Sequence, residues 1–263
     1  MRKGIFQKVY LGLLLLFFYA PILILIIYSF NESKIMGQWT GFTFKWYGEL
    51  LRDDNVIQAL YVTVGCAVGA ALISTLVGTA AAIGIHNMRP GPRNILVNIT
   101  YLPLVNPDIV TGVSLMLLFV FLQMRLGFFT MMLAHITFNI PYVIFSVMPR
   151  LQGMNPHLYE AALDLGATPI QAIRRVVIPE IMPGVVSGLI MAFTMSLDDF
   201  VISYFNSGST AQNLSVTIYS MTKKPVTPEI NALSTLMFGT VLLLLVVVNI
   251  RQVRDLDKQK ERR

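Results

Sequence analysis

Residues 155–183 read NPHLYEAALDLGATPIQAIRRVVIPEIMP, the one long polar-punctuated stretch lying between two apolar runs of membrane length. Asn155 before Pro156 is a helix cap with proline at the first helical position, where its missing N–H costs nothing. Leu158, Ala161, Ala162 and Leu165 fall at i, i+3, i+4 and i+7, one apolar stripe, and Gly166 supplies the left-handed residue that closes a helix. Thr168 and Pro169 repeat the start signal. Ile170, Ile173 and Val177 then line one face, Arg174 and Arg175 sit where a helix C-terminus favours cations, and Pro179 is expected to stop the second helix. The stretch therefore predicts a helix, a sharp turn and a helix. Two helices this short are marginal alone in water, so the pair needs a surface to pack on. On spacing alone, an amphipathic hairpin lying on the membrane is the other reading.

Outward from this stretch the chain is apolar. Of its 263 residues 55 % are hydrophobic and 13 % charged, which predicts an all-α polytopic membrane protein rather than a soluble enzyme. The net charge of +6 does not point to nucleic acid, because the basic residues stand at the ends of apolar runs instead of clustering on one helix. Cys66 is the single cysteine, lies inside an apolar run and reads as a small buried hydrophobe.

Six spans are expected, about 9–30, 58–85, 95–122, 128–148, 181–204 and 231–250. The first is too long, and lacks a small-residue cleavage site, for a signal peptide. Trp39, Trp46 and Tyr47 follow it and suit a membrane interface. Gly65 with Gly69, Gly78 with Ala82, and Gly184 with Gly188 are four apart, the spacing that lets helices approach closely in lipid. The third span is interrupted by Pro103 and by Asn106-Pro107-Asp108, predicting a kinked or discontinuous helix that restarts at Pro107. Another kink is expected near Pro141. The sixth span runs into the charged tail RQVRDLDKQKERR, residues 251–263, which cannot enter the membrane.

Six spans put both termini on one side. That side, with residues 86–94 and the 150–180 loop, holds Arg2, Lys3, Lys8, Arg89, Arg93, Arg150, Arg174, Arg175 and the six cations of the tail; the other holds only Lys34, Lys45, Arg52, Arg125, Lys223 and Lys224. The excess marks the first set as cytoplasmic.

Ionisable residues inside a membrane are costly and suspect as functional. Asp198 and Asp199 lie about 25 Å along the fifth span, in its outer part. Adjacent helical residues point about 100° apart, so one of them faces a pathway while the other braces a neighbour. Phe200, Tyr204 and Phe205 offer aromatic faces for a cation. The competing reading makes the two aspartates caps for a loop at the membrane edge. Asp108, about 20 Å into the third span, has the same two readings, with the first-turn capping role the stronger. His86, His135 and His157 have no metal-ligand spacing and read as ordinary polar or interface histidines. No catalytic constellation is present, and without a Gly-Lys pair there is no phosphate-binding G-x-x-x-x-G-K-[ST] motif, so any energy comes from a partner.

Glu160-Ala161-Ala162, three residues, Gly166, nine residues and Val176-Val177-Ile178-Pro179 resemble the EAA loop of ABC importer permeases. GFTFKWYGELL, PDIVTGVSLMLLF, SLDDFVISYF and VTPEINALST extend the resemblance to PotC-type permeases of spermidine/putrescine importers. It implies a type I, MetI-like importer core. Glu160, Ala161, Ala162, Gly166 and Pro179 would belong to the ATPase-docking element, and Asp108, Asp198, Asp199 and Tyr204 would line or support a polycation route. The implied partners are a second permease subunit (PotB type), a dimeric ATPase (PotA type) that binds ATP and Mg, an external polyamine-binding protein (PotD type) and the bilayer. Because the loop marks an importer and not its solute, a related importer for another small molecule is the alternative. A channel or ion-coupled secondary transporter would need coupling-ion residues and usually an inverted repeat, and neither is visible.

Overall fold

The computed structural model describes residues 2–34, 37–155, 157–223 and 227–261, with side chains for 7–34, 37–155, 157–223, 227–243 and 246. Pro156, at the first expected cap, and Lys224 lie outside the described residues. Among the described residues the chain is helical, with one isolated bridge between Asn31 and Phe42.

Two compact units form, one from residues up to Gln58 and from Thr217 onward, the other from Ala59–Val216. The first contains α1 (Arg2–Tyr28), α2 (Lys45–Leu50) and α12 (Pro228–Glu261), with α12 packed on both α1 and α2. Trp46 on α2 is 1 % exposed and donates its indole N–H to the Asn31 carbonyl at 2.7 Å, so it anchors this unit internally. Helix α12 continues through the charged tail as far as Glu261.

The second unit is built on α3 (Asp54–His86), α6 (Phe128–Gly153) and α9 (Ile178–Asp198). Helix α9 lies along α6 because Gly184 and Gly188 remove the side chains that would hold the two apart. A Cβ on Gly184 would stand 2.8 Å from the Ser146 carbonyl and 3.3 Å from the Val147 Cα, and one on Gly188 3.3 Å from the Val143 Cα. Gly69 meets Met132 and Gly78 meets Val143 in the same way, so both expected small-residue faces are packing faces. Pro141 is accommodated inside α6.

Four helices among the described residues are long and apolar enough to cross a membrane, and the third expected span is a pair bent by 105°, α4 (Pro90–Val105) and α5 (Asp108–Phe121). Asn106 and Pro107 are both extended, with ψ of 141° and 137°; for Asn106 the cause is that proline disfavours the helical region for the residue before it. The restart falls at Asp108, one residue beyond Pro107. The turn at 86–94 is shorter than expected, since Pro90, Gly91 and Pro92 already belong to the first turn of α4. The described apolar part of α12, Pro228–Leu243, is shorter than a full span.

Candidate functional site

The 155–183 stretch folds as its end signals dictate for the first two thirds. Asn155 accepts the His157 N–H at 3.0 Å and opens α7 (His157–Asp164). Gly166 adopts φ +85°, the Ala167 N–H reaches the Ala162 carbonyl at 3.1 Å and the Gly166 N–H reaches Leu163 at 2.9 Å, a complete Schellman closure. Thr168 and Gln171 then cap each other reciprocally: the Thr168 N–H donates to Gln171 Oε1 at 3.0 Å and the Gln171 N–H to Thr168 Oγ1 at 3.4 Å.

The last third departs from expectation. α8 (Pro169–Ala172) passes through a π turn (Ile173–Val177) directly into α9, so Pro179 does not end the helix, and Arg174 and Arg175 lie within a continuous helical run. The Ile178 N–H bonds Ile173, five residues back. This wide turn relieves the clash a proline makes with the carbonyl four residues before it, and Pro179 has no N–H to lose.

The stretch also splits its apolar residues between two faces. Ala172 and Val177 are buried, and Tyr159 packs on the core between α6 and α9, whereas Leu165 and Ile170 are 89 % and 78 % exposed and Leu158 and Ala161 face out with them. The expected single stripe thus becomes an outward apolar ridge beside the exposed Glu160, with Ala162 half-buried beneath it.

At the far end of α9 the expected fifth span breaks. Asp199 is extended (ψ 125°) and a new helix, α10 (Val201–Asn206), begins at once. The two aspartates diverge because the helix ends between them, not because neighbours on one helix point apart. Asp198 is exposed. Asp199 turns inward, its side chain 8 % exposed, and accepts the N–H groups of Ser203 at 2.8 Å and Ile202 at 3.3 Å. Asp199 therefore caps α10, as one of the two sequence readings required. Asn213, on the segment leading to α11 (Leu214–Thr222), donates to the Asp199 carbonyl at 3.0 Å and to Ser203 Oγ at 2.8 Å. His135 on α6 approaches the same point, its Nε2 2.9 Å from Ser203 Oγ and 3.5 Å from Asp199 Oδ2.

Helix α10 is clamped to α5. Asn206 donates to the Gly112 carbonyl at 3.1 Å, and a Cβ on Gly112 would stand 3.5 Å from the Ile202 Cα. Asp108 occupies the first turn of α5, exposed, one helical turn before this joint. Tyr204 is 43 % exposed on α10, its ring centroid 5.4 Å from those of Phe200 and Phe205. The structure thus gives an exposed carboxylate and aromatic faces at one helix break, with a buried polar network beneath. His135, Ser203, Asn206 and Asn213 were not legible as a group, because 68 residues separate His135 from Ser203 and no local spacing links them. Among the described residues no cluster of His, Cys, Asp and Glu has the makings of a metal site.

One stability result follows. Asp199→Ala leaves two N–H groups of α10 and the His135 ring without their carboxylate and is expected to cost about 1–2 kcal/mol. Asp198→Ala, at an exposed position, is expected to leave thermal unfolding of the purified protein nearly unchanged. Equal shifts for the two would contradict the assignment of Asp199 as the cap.

Comparison with known proteins agrees with this architecture. The family described as binding-protein-dependent transport system inner membrane component matches residues 74–258. The spermidine/putrescine transport system permease protein PotC of Escherichia coli (strain K12) is 38 % identical over 260 residues, covering 99 % of this chain and 96 % of that one. The putrescine transport system permease protein PotI of the same strain is 43 % identical over 233 residues, 86 % of this chain and 83 % of its own. A bacterial ABC transporter involved in the import of the acidic polysaccharide alginate superposes with a TM-score of 0.71 at 19 % identity over 96 % of both chains, a likeness of fold. The methionine ABC transporter MetNI, inward facing, gives a TM-score of 0.62 over 81 % of this chain and 98 % of its own. From a match that spans most of its length and relatives above one-third identity over nearly all of it, the chain belongs to the family of binding-protein-dependent transport system inner membrane components.

Proposed function

We propose that the chain is a permease subunit of an ATP-driven ABC importer for polyamines in the bacterial cytoplasmic membrane, with six spans and both termini cytoplasmic. The observation that carries this reading is the 38 % identity, over 99 % of the chain, to a permease named for spermidine and putrescine. The geometry adds two supports. The outward ridge of Leu158, Leu165 and Ile170, set by the turn at Gly166, is an apolar surface suited to a groove of a PotA-type ATPase dimer, which would hydrolyse the ATP. Exposed Asp198 and Asp108, with the aromatic faces around Tyr204, suit a substrate that carries two or three ammonium groups at neutral pH. Asp199 supports that route from beneath. A PotB-type permease completes the pathway and a PotD-type binding protein delivers the polyamine.

The test is uptake of labelled spermidine and putrescine by cells that lack the gene and carry it back with its neighbouring subunits. Wild type is expected to restore uptake, and Asp198→Asn, which removes one charge from the route, to raise KM about tenfold, the effect of about 1.4 kcal/mol. Restored uptake of a different solute would keep the importer and discard the polyamine.

A further inference from the structure

The buried ring of His135 has one nitrogen engaged and one idle. Nε2 faces Ser203 Oγ and the Asp199 carboxylate, while Nδ1 has no hydrogen-bond partner among the described residues, and the residue is fully buried. Only the tautomer with the proton on Nε2 fits these surroundings. A proton on Nδ1 would leave a buried donor unpaired and would aim the Nε2 lone pair at a carboxylate. Among the described residues His135 is the one basic side chain within 4 Å of that carboxylate.

One turn further along α6, Asn139 donates to Ser196 Oγ on α9 at 2.7 Å. Helix α6 therefore grips both sides of the break, Ser196 before it through Asn139 and Ser203 after it through His135. Asp198 is the exposed residue held between those two grips, and its carbonyl accepts the Ser215 hydroxyl at 3.2 Å.

We infer that His135 is a positioning residue of the substrate route: the Nε2–H, through Asp199 and Ser203, fixes the angle of the break between α9 and α10 and so the placement of the Asp198 carboxylate toward a passing ammonium group. It rests on the polyamine-importer reading for its ligand, but the geometry it asserts can be measured without one. Glutamine places its amide nitrogen where Nε2 stands, and asparagine places its own where Nδ1 stands. The role asserted for Nε2 therefore requires that His135→Gln preserve what His135→Asn destroys.

The experiment uses the full complex in membranes with Cys66→Ala and Asp198→Cys, and measures the rate at which a cationic methanethiosulfonate modifies the introduced thiol. Phe44→Cys, 64 % exposed in the other unit, serves as control. His135→Asn is expected to change the rate at position 198 about fivefold, the equilibrium worth of one buried hydrogen bond, with His135→Gln close to the parent and the Phe44→Cys rate unmoved. In the cysteine-free protein, His135→Asn is expected to raise KM for spermidine with little loss of maximal rate. If His135→Asn does not accumulate, Ser203→Ala removes the His135 bond together with the one from Asn213 and is expected to shift labelling at least as far, with the Phe44→Cys rate again unmoved. Equal labelling in all backgrounds, equal effects of Asn and Gln, or a change that extends to the control would each overturn the role. The expected labelling pattern in a protein that takes up no polyamine would support the positioning role and overturn the polyamine reading alone.

Discussion

Gly166→Val is expected to reduce uptake at least tenfold and to strip the ATPase from the purified complex, although a Cβ at this position has open space within the chain. Among the described residues, chain neighbours aside, nothing lies within 4 Å of a Cβ built on Gly166, so the expected effect is argued from the backbone. At φ +85° a β-branched residue is strongly disfavoured, by about 1–2 kcal/mol for an ordinary L residue and more for valine. Relaxing φ would break the two Schellman bonds that close α7 and would swing the ridge of Leu158 and Leu165 away from Ile170. Asparagine visits the left-handed region with less strain, so Gly166→Asn is expected to keep most of the uptake and the ATPase. Normal transport and co-purification by Gly166→Val would show that the turn is not needed for coupling.

The second large effect is expected at the seam of α6 and α9. Gly184→Val would set a branched side chain 2.8 Å from the Ser146 carbonyl and from the Arg150 Cγ, and 3.3 Å from the Val147 Cα. Two of these three neighbours are backbone, so relief requires the helices to separate and to expose the buried Val143, Val147 and Ile181. Overpacking of this kind costs about 1–3 kcal/mol where side chains can yield, and more is expected here because main chain must move. The readout is thermal aggregation of the detergent-solubilised complex and its amount in membranes, both expected to fall sharply. Gly91→Ala, with open space around its Cβ, is the control and is expected to leave both unchanged. A stable Gly184→Val protein would mean that the two helices pack elsewhere.

These two glycines also show what the sequence makes legible. Signals complete within a few residues read correctly: the left-handed glycine after an apolar stripe, the Thr168-Pro169 start, the small residues four apart, and the break at Asn106-Pro107. Pro179 misled because its tolerance depends on a π turn just before it, and a register shift of one carbonyl has no residue signature of its own. The internal anchoring of Trp46 was not legible, since an aromatic residue after a span reads alike whether its N–H meets water or, as here, the Asn31 carbonyl. The pairing of exposed Asp198 with buried Asp199 was open in the sequence because both a helix and a helix end set adjacent side chains apart. Deciding between them required Ser203 and Asn213, and bringing His135 into the group required the tertiary fold.

Because Pro179 fails to interrupt it, the helical run from Pro169 to Asp198 is one strut of 30 residues, about 45 Å long at 1.5 Å per residue. One end of that strut carries Ile170 of the exposed ridge, and the other is the break beneath Asp198. A strut of this length that pivots by about 10° at one end sweeps the other through about 8 Å, more than a full helical pitch. Two places along it depart from a full α ladder: the π turn, a few residues from the ridge, where the hydrogen-bond register changes once, and Pro183 inside α9, which has no N–H to give. Displacement at the ridge would therefore reach the carboxylate end along one continuous helix, with the π turn and Pro183 as the joints where it can bend.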